Sequence, residues 1–182
     1  METVFSGNPW TTSFTEDSFG NIWIGTYRNG TFCFHKNQTP FQKSMSGKNI
    51  ECMSTDHSGN YWIGSLNGEV CVLDSTQKQI MGKTIFPNDM IHTIYGQESS
   101  NKVWVGTMYG LYEAWIESNK QIVYQKTSGI NIPSIRSIVQ DSCFLWIASY
   151  NNGVTLYNYS TQQSVVTYKT DSEVLPLPSN TI

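Results

Sequence analysis

The chain has 182 residues, a formal net charge of −3 and only 14% charged side chains. That leaves no basic patch for a nucleic acid to bind, and no apolar run reaches the roughly 18 residues a membrane-spanning helix needs. Aromatic residues make up 13% and helical periodicity is nearly absent, which points to a β protein with rings in its core.

Residues 1–9 read as a lead-in. Met1-Glu2-Thr3-Val4-Phe5 has neither a basic start nor a long apolar core, so it does not read as a signal peptide. The first repeat, 10–47, opens with a strand at 12–15 and continues as Asp17-Ser18-Phe19-Gly20-Asn21-Ile22-Trp23-Ile24-Gly25-Thr26. Asp17 can accept a hydrogen bond from the amide two residues on and close an Asx turn. Gly20 supplies the positive φ such a turn uses. The β-branched and aromatic run that follows suits a strand. Alternation places Trp23 and Gly25 on one face and Ile22, Ile24 and Thr26 on the other. Both faces are apolar and both are expected to be covered, with Gly25 admitting a close neighbour. The turn Tyr27-Arg28-Asn29-Gly30 returns the chain as a strand at 31–34, and a looser strand at 41–43 completes the unit.

The second repeat, 48–88, has a strand at 50–54, then Asp56-His57-Ser58-Gly59-Asn60-Tyr61-Trp62-Ile63-Gly64-Ser65, the turn Leu66-Asn67-Gly68, and strands at 70–73 and 80–83. The third, 89–131, replaces the aspartate turn by Gln97-Glu98-Ser99-Ser100-Asn101, one residue longer. It keeps Trp104, Gly106 and the turn Met108-Tyr109-Gly110 between strands at 91–95, 102–107, 111–115 and 122–125. The fourth, 132–172, has Asp141-Ser142-Cys143-Phe144 without a glycine, and Ala148 where glycine stood. It also has Trp146, the turn Tyr150-Asn151-Asn152-Gly153, and strands at 135–139, 145–149, 154–157 and 164–168. Residues 173–182 resemble the start of a further repeat cut short, so the chain is expected to be a segment of a longer one.

Trp23, Trp62, Trp104 and Trp146 are spaced by 39, 42 and 42 residues. Four antiparallel strands in about 40 residues correspond to one blade of a β-propeller. The expected fold is all-β: a propeller segment of four four-stranded antiparallel blades, part of a larger propeller. A generic β-sandwich would not repeat Trp-Ile-Gly-Thr at a fixed spacing.

No catalytic residue, metal site or cofactor motif emerges. His35, His57 and His92 lack zinc spacing. Asp17 and Asp56 recur with the repeat, so turn closure accounts for both. Cys33 and Cys71 stand three residues after their turn glycines, and with Cys52 and Cys143 they read as free thiols, equivalent positions in adjacent blades being too far apart to bridge. Asn37 and Asn158 open glycosylation sequons. The loops joining second and third strands, and those leading into first strands, should share one face. The candidate ligand-binding residues there are Tyr27, Arg28, Asn29, Tyr109, Tyr150 and Asn151, with Asn49, Asn67, Asn88, Met108, Asn131 and Asn152 nearby. Tyrosine and asparagine suit a sugar, offering a ring to stack on and adaptable hydrogen bonds. The first strands carry Glu51, His92 and Arg136, a sparse set for a propeller enzyme.

The pattern Asp-x-x-Gly-Asn-x-Trp-Ile-Gly-Thr, then a turn, a glycine and an apolar strand, resembles the two-component regulator propeller repeat. The resemblance is strong in the first two repeats and partial in the others. It departs from sialidase Asp boxes, which have one residue between Asp and Gly, and from WD repeats; quinoprotein propellers are the nearest competitor. It implies the periplasmic sensor region of a hybrid two-component histidine kinase of the Bacteroidetes type, often sensing an oligosaccharide. In that family the membrane helix and kinase lie outside the propellers, so no phosphotransfer residue falls in this chain. Only scaffold positions match: Asp17, Gly20, Trp23, Gly25, Thr26 and their equivalents Asp56, Gly59, Trp62 and Gly64. Alternatives are a quinoprotein- or lyase-like propeller enzyme and a protein-interaction scaffold. Four blades would leave two apolar flanks open, so self-association of the chain, as in two copies making one eight-blade ring, or else an unusual closure as four blades, is also expected, with a homodimer of the parent as the alternative association.

Overall fold

A computed structural model of the protein describes residues 10–34, 42–44, 47–76, 78–173 and 176–179. The lead-in, His35, the Asn37 sequon, Phe41 and residues 174–175 and 180–182 of the tail lie outside the described residues. The first sheet is β1 (Thr11–Glu16), β2 (Ile22–Thr26), β3 (Gly30–Phe34) and β4 (Gln42–Ser44). The second is β5 (Ile50–Thr55), β6 (Tyr61–Ser65), β7 (Glu69–Leu73) and β8 (Gln79–Thr84). The third is β9 (Ile91–Gly96), β10 (Lys102–Thr107), β11 (Gly110–Ile116) and β12 (Ile122–Lys126). The fourth is β13 (Ile135–Asp141), β14 (Phe144–Ser149), β15 (Gly153–Asn158) and β16 (Gln163–Tyr168). Each sheet is an antiparallel meander, and the first strands of successive sheets touch: β1 with β5, β5 with β9, β9 with β13. The fold is the all-β propeller arrangement, and no described residue is helical.

The tryptophan face of each of the first three sheets is covered by the next sheet. Trp23 clusters with Ile50, Met53, Tyr61 and Ile63. Trp62 clusters with Ile91, Ile94, Val103 and Val105. Trp104 clusters with Ile135, Ile138, Leu145 and Ile147. The motif glycine sets how closely the sheets approach. A Cβ on Gly25 would lie 2.9 Å from Ile50 Cγ2, one on Gly64 2.8 Å from Ile91 Cγ2, and one on Gly106 2.5 Å from Ile135 Cγ2. The isoleucine opening each first strand thus sits in a seat that only glycine leaves vacant.

Two expectations need correction. The two faces of each second strand are not always covered: Trp146 is 38% exposed, because no described sheet follows β14, and its indole rests on Tyr168 at 6.2 Å. On the opposite flank Ile22 and Ile24 are half-buried and Phe14 is 80% exposed. Cys33 and Cys71 are also not equivalent. Gly30 pairs with Thr26, whereas Gly68 lies inside its turn, its amide bonded to Ser65 O at 3.1 Å. Trp23 therefore pairs with Cys33 but Trp62 with Val72. The two side chains point from opposite faces into the same core between the first and second sheets.

The motif aspartate does more than close its turn. Asp17 Oδ1 accepts from the amides of Phe19 (2.8 Å) and Asn21 (2.9 Å). Its Oδ2 accepts from Asn21 Nδ2 (2.9 Å), Trp23 Nε1 (3.2 Å) and, from the next sheet, the Tyr61 hydroxyl at 2.6 Å. Burial alone would raise the carboxyl's pKa, but these hydrogen bonds, led by Tyr61, outweigh it and bring Asp17 down to about 2 from 3.8. Tyr61→Phe is expected to cost about 1.5–3 kcal/mol, as for a hydrogen bond to a charged group. Because the folded-state value is depressed, this stability is fully present above pH 3.8 and is lost as the pH falls through about 2. Denaturant midpoints of wild type and variant should therefore differ most near neutrality and converge on acidification; a gap independent of pH would remove Asp17 from the account.

Candidate functional site

One irregularity recurs in all four sheets. The pairing of first with second strand skips Thr12 between Thr11 and Ser13, Glu51 between Ile50 and Cys52, and Arg136 between Ile135 and Ser137. In the third sheet Thr107 pairs with Ile91 and Gly106 with Thr93, which skips His92. A β-bulge leaves its extra residue unpaired and re-aims the side chain. Thr12, Glu51, His92 and Arg136 thus hold one position on four adjacent first strands.

Three of these groups interact. Arg136 Nη1 lies 3.0 Å from His92 Nδ1, and the guanidinium sits 5.5 Å from the Tyr150 ring centre. A guanidinium only donates, so His92 Nδ1 accepts and the ring proton resides on Nε2, which is buried and has no hydrogen-bond partner. Burial, then the Arg136 charge, lowers the His92 pKa, against an opposing pull from Asp89; the imidazole is neutral at pH 7. Burial raises the Glu51 pKa, and Arg136 partly offsets it. Arg136 is exposed and has no salt bridge among the described residues. Thr12 is engaged elsewhere, its hydroxyl donating to Ile50 O at 2.6 Å.

The turns between second and third strands lie at this same end. Tyr150 N donates to Ser134 O (2.9 Å), Ser134 N to Met108 O (2.8 Å) and Met108 N to Met90 O (3.0 Å), lacing the third-sheet turn to the fourth. Tyr109 is 58% exposed and Tyr150 44%. In the first sheet Tyr27 N donates to Trp10 O at 2.9 Å, Trp10 stacks on Tyr27 at 6.2 Å, and the Arg28 guanidinium lies 5.1 Å from the Tyr27 ring. Arg28 and Asn151 occupy the same turn position with φ 74° and 62°, and both are exposed, while Asn29 is half-buried. The structure therefore joins Tyr150 to the bulge residues and groups Tyr27 and Arg28 with Trp10.

The sequence places Glu51, His92 and Arg136 on first strands as a sparse set, without showing that they share one position. Their common signal is that each directly follows the isoleucine opening a first strand. Among the described residues no group of three His, Cys, Asp or Glu side chains is placed to hold a metal. What the face offers is a guanidinium, a neutral imidazole, a carboxyl and exposed rings, a set suited to gripping a polar ligand.

Comparison with known proteins agrees with the repeat resemblance. The family model described as Two component regulator propeller matches residues 5–28, which take in the Asp17–Thr26 motif of the first repeat. The fold matches the extracellular domain assigned to the hybrid two component system BT3049 of B. thetaiotaomicron (TM-score 0.72, 24% identity, covering 93% of this chain and 24% of that one). It also matches the extracellular domain assigned to the one component system BT4673 of the same organism (TM-score 0.69, 22% identity, 93% and 23% coverage). The β-propeller domain of Cps50 (Swd1) from Myceliophteria thermophila matches at TM-score 0.65 and 11% identity, over 84% of this chain and 57% of that one. The chain spans about a quarter of the two B. thetaiotaomicron domains. No curated protein matches the sequence.

Proposed function

We propose that this chain, built on two-component regulator propeller repeats, is a ligand-sensing, non-catalytic part of an extracytoplasmic sensor. Its ligand is an oligosaccharide, its compartment the periplasm, and a histidine kinase is carried elsewhere in the parent protein. The observation carrying this reading is the row of bulge residues, in which Arg136 meets His92 and the Tyr150 ring, with Glu51 at the same position of the second sheet, on the face that also holds Tyr109. Stacking on exposed rings and charge-assisted hydrogen bonds from a guanidinium together suit a hydroxylated ligand with an acceptor group. The test is a glycan array probed with the protein, neutral and uronic-acid oligosaccharides side by side. Binding is expected, and Arg136→Ala should weaken it about tenfold or more, as for loss of a charged hydrogen bond. Tyr109→Ala with Tyr150→Ala should weaken it further. Binding indifferent to all three changes would remove this face from the proposal.

The meeting of His92, Glu51 and Arg136 favours one second reading, a lyase-type propeller enzyme. It requires that uronic-acid polysaccharides incubated with the protein yield unsaturated product; their recovery intact leaves the sensor reading.

A further inference from the structure

A second place in the molecule is built for a ligand, and it is independent of the row of bulge residues. In the first two sheets the motif indole N–H is taken by the motif aspartate, Trp23 by Asp17 at 3.2 Å and Trp62 by Asp56 at 2.9 Å. The third sheet has Gln97 at that position, and its side-chain amide turns away to donate to Glu113 at 3.0 Å. Trp104 Nε1 is left buried with no partner in a residue only 2% exposed. An unpaired buried donor is costly and uncommon in a folded protein.

This indole lines a cavity of about 230 Å³ between the third and fourth sheets. Thr127 lines it too, and Thr127 Oγ1 is a second buried polar atom without a partner. The cavity follows from the row beside Trp104. In the second sheet the residues paired outward from Trp62 are Val72 and Met81, which fill the space; in the third they are Glu113 and Gln125. The aromatic wall is completed by Tyr159, whose ring centre lies 5.7 Å from that of Trp104.

We propose that this interblade cavity binds one small, neutral, hydroxyl-bearing molecule of the polyol or monosaccharide class. A hydroxyl oxygen can accept from Trp104 Nε1 while a second hydroxyl pairs with Thr127 Oγ1. The Trp104 and Tyr159 rings cover the ligand's C–H face. An anion is disfavoured by the Glu113 carboxylate on the wall, and Lys126, which lines the same cavity, directs its Nζ to Tyr109 O at 3.2 Å. A cation gains little there, because Glu113 already accepts from Lys102 Nζ (3.2 Å), Gln97 Nε2 (3.0 Å) and Gln125 Nε2 (3.1 Å). The volume of about 230 Å³ lies below the range of drug-sized sites, a size that suits a single polyol or sugar unit.

The experiment is titration of the ¹⁵N-labelled protein with glycerol, xylitol and glucose, following the indole N–H resonances. Trp104→Phe identifies its signal by loss. The Trp104 resonance should shift saturably with at least one of the three, while those of Trp23 and Trp62, held by their aspartates, stay in place. Thr127→Val, which keeps the side-chain shape, should weaken the response about fivefold with the rest of the spectrum unchanged. Thr127→Val also keeps the proposal testable if Trp104→Phe fails to fold. No saturable shift with any probe, or equal drift of all indole signals, would mean the cavity holds only water and overturn the proposal.

Discussion

Trp62→Ala is expected to lower the stability of the folded chain by about 3–5 kcal/mol. Trp62 is fully buried, and removing a tryptophan of about 150–250 Å² from water contributes roughly 4–6 kcal/mol gross. Its face meets Ile91, Ile94, Val103 and Val105 of the third sheet, so truncation opens a cavity between two sheets rather than at an edge. The change also strips Asp56 Oδ2 of the 2.9 Å indole bond, leaving it, among the described residues, Asn60 Nδ2. In an array where each unit leans on its neighbours, a break at a central interface uncouples the two halves, and whole domains are stable by only about 5–15 kcal/mol. Trp146→Ala is the control. The same motif residue, 38% exposed, should cost about 1 kcal/mol or less. Denaturant titration of the two variants decides the matter: a Trp62→Ala loss below about 1 kcal/mol, or equal losses for both, would show that burial by the following sheet is not what the motif tryptophan contributes.

This contrast marks the boundary of what the sequence makes legible. Local periodicity and turn chemistry are written in adjacent residues, so the strands and the positive-φ turn glycines Gly20 and Gly59, at 77° and 79°, can be read directly. What one sheet does to the next depends on residues about 25 to 45 positions apart. That Gly25 seats Ile50, or that Tyr61 reaches Asp17, leaves no local mark. The bulges escaped because a skipped residue looks like any other strand residue until its partner strand is known. The register of Cys71 is not legible locally because a turn glycine can pair, as Gly30 does with Thr26, or lie within the turn, as Gly68 does. Trp104 shows the reverse. Replacing the aspartate turn by Gln97 was visible in the sequence as a departure, but its consequence, an indole without an acceptor beside a cavity, appears only once the fourth sheet is in place.

The flanks lead to the second large effect: the 182-residue chain should self-associate head to tail. The fourth sheet presents Val139, Trp146 and Val166, at 52%, 38% and 36% exposure, on the face that every earlier sheet covers with its successor. The first sheet presents Phe14 at 80% exposure, paired with Ile24 on the face that every later sheet packs against its predecessor. These are the two halves of an interface the chain already forms three times, so a second copy can supply the missing half of each. Such a contact is heterologous, and two copies close only if the rotation completes a ring. Sedimentation of the wild type should therefore show a species heavier than the monomer, and Trp146→Glu or Phe14→Glu alone should each restore the monomer. Mixing the two variants should recover association, because one supplies an intact Phe14 flank and the other an intact Trp146 flank. An isologous pairing of Trp146 flanks would instead leave Phe14→Glu associated on its own. A wild type that stays monomeric at high micromolar concentration would show that neither flank recognises the other.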